Sequence, residues 1–368
     1  MEASTHSAPP EELLTASDIS QLQRLVDNCN NFKVSSEIRG RYAYLCLPTE
    51  SESLRIFGIL QPAVLETIKW EAYGFEVTDV AGARRAGVEI PEQAPEWGFV
   101  VPGDPNPERL SQRFEDMATD AYHRRHFPSL PSLECWREKK EYVPLVLGHS
   151  GVKVPDSLGV YLGLLQLGVH LTVYTVGEKT KSRLEPISEI LVQRRSQYAS
   201  YPSSLDQTAA GGLQYSESLR SGIVREAREE LPHEFFEGTE MLKDIICDGA
   251  VVFSGVRPPA ARKLAGSLEI SAKASFSLKV DRAEVSLRTK PRDSKVGGFQ
   301  WMSVKDVLVA LKAGKFKPNS ALVMIKFLID RGVIEKEGED IQKLADGLKQ
   351  SVFLDLPDIP RDPVSGMA

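Results

Sequence analysis

The stretch YPSSLDQTAAGGLQYSESLRSGIVREAREELPHE, residues 201–234, decides how the rest of the chain is read. It contains the pair Gly211-Gly212 and an isolated Glu217. The run Arg225-Glu226-Ala227-Arg228-Glu229-Glu230 follows, with little to break a helix. Each helical residue turns the chain by about 100°, so positions i, i+3 and i+4 share a face. Glu226, Glu229 and Glu230 stand in that relation, and three carboxylates pointing one way repel each other unless a positive charge lies among them. Oxygen-only donors suit Mg²⁺ or Mn²⁺, hard cations that keep waters and bridge substrate phosphates. A Gly-Gly turn lets the backbone approach the same ion, which adds Gly211 as a metal donor and Gly212 as a substrate contact. Arg225 is placed to orient one carboxylate by a bidentate hydrogen bond, and Glu217 to hold that arginine. The plain alternative is an exposed helix rich in Glu and Arg.

The sequence around this motif is strand-dense. Strands are expected at 169–176, 188–195, 205–210, 249–256, 268–280 and 283–288, and GGFQWMS (297–303) leads into a further element. Ser303 with Asp306 three residues later resembles a capping box, and another helix runs from near Asn319 to Gly332. Ser157–Gly177 carries no formal charge. Its second half alternates Val169, Leu171 and Val173 with His170, Thr172 and Tyr174, so a helical turn entering a buried strand is expected rather than a membrane span. Earlier in the chain, a helix capped near Ser17 or Asp18 carries Ile19, Leu22, Leu25, Val26 and Cys29 on one side. Strands follow at 41–47, 54–60 and 75–80, with a helix at 64–72, a proline-rich loop at 91–107 and a helix at 109–127. The expected organisation is a tail over 1–17, a smaller α+β domain over 18–150, a catalytic domain over 151–350 and a tail over 351–368.

The bulk properties narrow the partners. The 368 residues are 42% hydrophobic and 26% charged, enough apolar content for a sizeable core. A net charge of −6 offers no basic field for a phosphate polymer, so nucleic acid is not an expected partner, nor is a membrane. The four cysteines, Cys29, Cys46, Cys135 and Cys247, form no CxxC pair. With no secretory signal in the opening residues, this points to a reducing, cytoplasmic setting.

The motif resembles the Nudix box, G-x5-E-x7-R-E-U-x-E-E-x-G-U, where U is bulky and apolar. Gly211, Glu217, Arg225, Glu226, Glu229 and Glu230 all match; Ala227 is a small first U, and Pro232-His233 replace the closing pair. WREKKEYV (136–143), LGVHLTVY (167–174), RRSQYASYPSSLDQTAAGG (194–212) and GKFKPNSALVMIKFLIDRG (314–332) extend the likeness. They resemble the fungal and plant type that forms the leading half of fungal thiamin pyrophosphokinases, with its own amino-terminal domain. The resemblance implies an α/β/α Nudix sandwich with mixed sheets, preceded by a smaller α+β domain. It implies a cytoplasmic, Mg²⁺-dependent (or Mn²⁺-dependent) hydrolase of a small-molecule diphosphate, thiamin diphosphate-like and oxidised. Glu226, Glu229, Glu230, Arg225 and Glu217 would be catalytic. Another diphosphate, such as a prenyl one, or binding without hydrolysis are the alternatives.

Departures from that type mark further positions. Its PG is Pro202-Ser203, and its late DGEV run is Asp293-Ser294-Lys295-Val296, so Lys295 reverses a charge and is expected to grip a substrate phosphate. Arg194 and Arg195, ending a strand, are expected either to meet phosphate oxygens or to form salt bridges with neighbouring acids. His170, expected to alternate outward from an apolar strand face, is either a further substrate contact or a hydrogen-bonded core residue. Asp206 is read as fixing the turn, Lys317 as surface, and Trp136, Trp301 and Tyr201 as aromatic packing or stacking groups.

Overall fold

The computed structural model describes residues 14–32, 42–49, 53–92, 94, 97–124, 141–144, 151–177, 186–236, 241–285, 287, 291, 293–334 and 338–350. Both expected tails fall largely outside this set, as do Cys135 and Trp136.

The first helix spans Ala16–Cys29 (α1), and its cap is Thr15 rather than Ser17 or Asp18. Thr15 and Asp18 close a capping box, each side chain accepting from the other's backbone N–H. Strands Ala43–Pro48 (β1) and Leu54–Leu60 (β2) pair antiparallel. The expected helix at 64–72 is split into Pro62–Thr67 (α2) and a 3₁₀ turn at Trp70–Tyr73. Strand Phe75–Thr78 (β3) leads into helix Val80–Arg85 (α3), capped by Asp79. The proline-rich loop conceals a strand, Gly98–Pro102 (β4), which lies parallel to β1 inside a sheet of order β2-β1-β4-β3. The apolar run Phe99-Val100-Val101 needs burial on both faces, and Pro102 sits only at its end, where a missing N–H is tolerated. Helix Pro107–Arg124 (α4) covers one face of this sheet.

Short strands Tyr142–Val143 (β5) and Val154–Pro155 (β6) pair before helix Asp156–Tyr161 (α5). Strand Leu165–Val176 (β7) is central, so the uncharged 157–177 stretch is indeed a helical turn and a buried strand. Strands Ile187–Arg195 (β8), Leu205–Asp206 (β9) and Ala209–Gly212 (β10) follow, then helix Leu219–Glu230 (α6). Strands Ile246–Val256 (β11), Leu268–Lys279 (β12) and Val296–Ser303 (β13) complete a sheet of order β11-β12-β7-β8-β13, with β10 on β7 and β9 on β8. The β7–β12 pair is parallel and the others are antiparallel, so the sheet is mixed. The strand expected at 283–288 is replaced at its start by a 3₁₀ turn, Arg282–Glu284, capped by Asp281. Helices Val304–Lys312 (α7), Pro318–Asp330 (α8) and Glu339–Gly347 (α9) close the chain. No helix among the described residues is long and apolar enough to cross a membrane.

Two cores flank the seven-stranded sheet. On one side Val169, Leu171 and Val173 of β7 and Ile270, Ala272 and Ala274 of β12 meet Ile223 and Ala227 of α6. That same core continues into Tyr44, Ile56, Trp97 and Phe99 of the first sheet. On the other side Tyr174, Ile190 and Val192 pack under α7 and α8. Helix α1 joins this second layer: Leu22 and Val26 are fully buried there, and Lys312 pairs with Asp18 at 2.6 Å. The sequence grouped α1 with the 18–150 unit; its apolar stripe instead finds cover in the helical layer of the chain's second half.

Candidate active site

Helix α6 positions most of the motif. Ser218 caps it, accepting from Ser221 N at 3.1 Å, and Leu231 is already extended before Pro232, which cannot continue a helix. Ile223 and Ala227 anchor the helix on the sheet, so the polar residues between them are held against β10. The closeness requires glycine: a Cβ on Gly211 would lie 2.0 Å from the Glu226 carboxyl carbon. The Glu226 carboxylate therefore rests directly on the strand backbone at the box's first residue.

Arg225 organises the acids. Its Nε and Nη2 donate to the two oxygens of Glu217 at 2.6 and 3.0 Å, the expected bidentate pair. Nη1 donates to Glu226 at 2.7 Å and Glu229 at 3.3 Å, and Nη2 also reaches the Gly212 carbonyl at 2.8 Å. Burial pushes the Glu226 carboxyl above its usual range, opposed by Arg225 and by the charge of exposed Lys295. The charge of Lys295 thus reaches Glu226.

The three carboxylates do not share one face. Glu226 and Glu229 meet at Arg225, whereas Glu230 turns into the protein, accepting from Ala210 N at 2.9 Å and Gln193 Nε2 at 3.0 Å. Burial, reinforced by the negative charge of Asp206, pushes Glu230 up to about 8. The helix lies so tightly on β10 that the strand's N–H captures one acid. Among the described residues no three His, Cys, Asp or Glu side chains are gathered for a metal ion. The chemistry of the donors still fits a hard cation: Glu226 offers oxygens beside the Gly211 backbone, and Glu229 offers one at Arg225. The cost of burying Glu226 ionised is one that a divalent charge would offset.

Two expected phosphate contacts are otherwise engaged. Arg195 is buried, donating to Asp206 at 2.8 Å and to Ser200 through its carbonyl and hydroxyl at 2.7 and 3.2 Å. Arg194 is exposed and donates to the Ser203 carbonyl at 3.2 Å. His170 does not point outward, because β7 is covered on both faces. It is 2% exposed, and burial, with Lys317 nearby, lowers it to about 3, so the ring is neutral. Asp206 does more than fix a turn: it also pairs with Lys317 at 3.6 Å and accepts from Ser320 Oγ. Ser203 holds φ of 60°, the left-handed region that suits the glycine of the related type.

On the α7–α8 side of the sheet lies a cavity of about 520 Å³. Its walls include Tyr201, Phe253 and Phe316, with Arg257, Glu269, Lys317 and Asn319 as polar groups. Helix α1 and the residues after it form another wall through Leu25, Asn28, Cys29 and Asn31. Lys317, read from sequence as surface or a helix-cap neighbour, is the residue before α8 and also lines the cavity. Lys273 of β12 was missed altogether; a single lysine in the small-residue run SAKASFS was its one signal. Burial lowers Lys273 to about 8 against the opposing pull of Glu269. Its charge also acts on Asp156, as does that of Lys295.

Part of the chain is similar to known proteins. Residues 173–324 match the family model described as NUDIX domain. An uncharacterized protein of Saccharomyces cerevisiae, YJR142W, is 29% identical over 213 residues, covering 57% of this chain. The chain spans 60% of that relative's length. Among solved structures, DR0079 from Deinococcus radiodurans is 19% identical, with 44% of this chain and 81% of that one covered at a TM-score of 0.28. A C. elegans Ap4A hydrolase is 15% identical, with 45% and 96% covered at 0.28. The family-model match, which contains every residue of the box from Gly211 to Glu230, identifies the segment 173–324 of this chain as a Nudix domain.

Proposed function

We propose that the protein is a divalent-metal-dependent hydrolase that splits the P–O–P bond of a small organic diphosphate in the cytoplasm, releasing a monophosphate and phosphate. The observation that carries this reading is the pair Glu226 and Glu229 gathered at Arg225, with Glu226 resting on the Gly211 backbone. Glu226 and Glu229, with the Gly211 carbonyl, would hold Mg²⁺ or Mn²⁺. When bound, the ion supplies charge neutralisation on the leaving phosphate and a lowered pKa for the attacking water. Arg225, locked by Glu217, fixes the carboxylates; Glu229, the most exposed and most loosely held, takes the proton from water as its oxygen bonds to phosphorus. Glu230 acts one step back, tying β10 to α6 through Ala210 and Gln193.

The cavity would take the organic half. Its volume suits a small molecule. Aromatic walls with Arg257, Glu269, Lys317 and Asn319 favour a polar heteroaromatic group over a prenyl chain, in line with an oxidised thiamin-like diphosphate. Lys295, whose charge reaches Glu226, keeps a binder without turnover as the second reading. Phosphate release from thiamin, prenyl and nucleoside diphosphates with Mg²⁺ tests both. Glu229→Gln is expected to lower turnover by roughly a thousandfold with no change in melting. Tight binding without release in the wild type would support the second reading instead.

A further inference from the structure

Lys273 is 7% exposed, and among the described residues its one hydrogen bond runs from Nζ to the Gln166 carbonyl at 3.2 Å. An ammonium has three protons to donate, and a buried one is costly unless an anion answers it. Glu269 and Asp156 act on it, but Arg257 already meets Glu269 at 3.0 Å, and Arg257 and Lys317 add positive charge to the same region. The backbone beside it is shaped around the ammonium. A Cβ on Gly168 would sit 3.0 Å from Lys273 Nζ and 2.9 Å from the Gly211 carbonyl oxygen. That one gap in β7, opposite Gly212, thus brings the lysine and the carbonyl offered to the metal to a common point. From the other direction, the charge of Lys273 acts on Glu269, which lines the cavity.

We propose that Lys273 is a substrate-binding residue that grips the diphosphate oxygens where the ligand passes from the acids of α6 into the cavity. This assignment rests on the hydrolase reading given above. It gives an anionic ligand a charge-assisted donor from the sheet itself, on the side away from α6. Any side chain at Gly168 would strike both Lys273 and the Gly211 carbonyl.

The test is calorimetric binding of inorganic pyrophosphate with Mg²⁺ to wild type, Lys273→Met and Glu229→Gln, each checked for an unchanged melting profile. Lys273→Met is expected to bind pyrophosphate at least roughly tenfold more weakly. Pyrophosphate should also shift the side-chain ¹⁵N resonance of Lys273 in lysine-labelled wild type, a readout that needs no variant to fold. Equal affinity in Lys273→Met, or an unmoved Lys273 resonance with pyrophosphate bound, overturns this role and leaves the hydrolase reading standing. No Mg²⁺-dependent pyrophosphate binding by the wild type, together with undiminished turnover in Glu229→Gln, would overturn both.

Discussion

Asp206 concentrates the energetics of the region in one side chain. It is 1% exposed yet ionised: burial pushes its carboxyl up, but Lys317 and Arg195 outweigh that and hold it at about 2, against the usual 3.8. Removing the charge leaves Arg195 buried without its partner, so Asp206→Asn is expected to cost about 3–5 kcal/mol in urea unfolding. The pH dependence has a fixed sign. A carboxyl lowered in the folded state contributes stability fully present above about pH 4 and lost as the pH falls toward 2. Thermal melts of the wild type should show that acid loss, and melts of Asp206→Asn should lack this part of it. A wild-type-like acid limb in the variant would show that other carboxylates dominate.

At the scale of single elements, the pairing of β10 with α6 sets the site. The helix can approach only because Gly211 has no side chain, and the approach is what separates Glu230 from its two fellow acids. Gly211→Ala would place a methyl 2.0 Å from the Glu226 carboxyl carbon, forcing the carboxylate or the helix away. The expected outcome is a loss of about 1–3 kcal/mol and of Mg²⁺-dependent turnover. Gly212→Ala meets nothing within 4 Å and should melt as the wild type does. Equal behaviour of the two variants would mean that the contact between helix and strand is not fixed as described.

Across the whole molecule, the amino-terminal sheet and the Nudix domain share one hydrophobic core. Tyr44, Ile56, Trp97 and Phe99 pack in the same cluster as the inward residues of β7 and β12. The backbone joins as well: Ile59 N donates to the Gly163 carbonyl at 3.1 Å, and a Cβ on Gly163 would lie 1.9 Å from the Ile59 carbonyl oxygen. Helix α1 seals the opposite layer and walls the cavity. A fragment of residues 151–350 therefore exposes apolar surface on both faces of its sheet. It is expected to aggregate or melt well below the full chain in calorimetry; an equally stable, monomeric fragment would refute the shared core.

Much of this was legible in residue order. Local spacing carries helix α6 and its stop at Pro232, the alternation of β7 and the pairing of Arg225 with Glu217. Each depends on neighbours within a turn or two, and backbone periodicity fixes those. The same periodicity said that Glu226, Glu229 and Glu230 share a face, but not that a strand N–H would claim one of them. It marked His170 as outward, because one strand cannot reveal that both faces of its sheet are covered. It hid β4 among prolines and left α1 within the 18–150 unit without saying what covers it, since an apolar stripe says that it will be buried but not against what. Lys273, Asp206 and the cavity come from strands, loops and helices far apart in the chain. The sequence by itself determined which residues could carry the chemistry; only tertiary packing, by bringing distant charges into a shared low-dielectric space, decided which of them face one another.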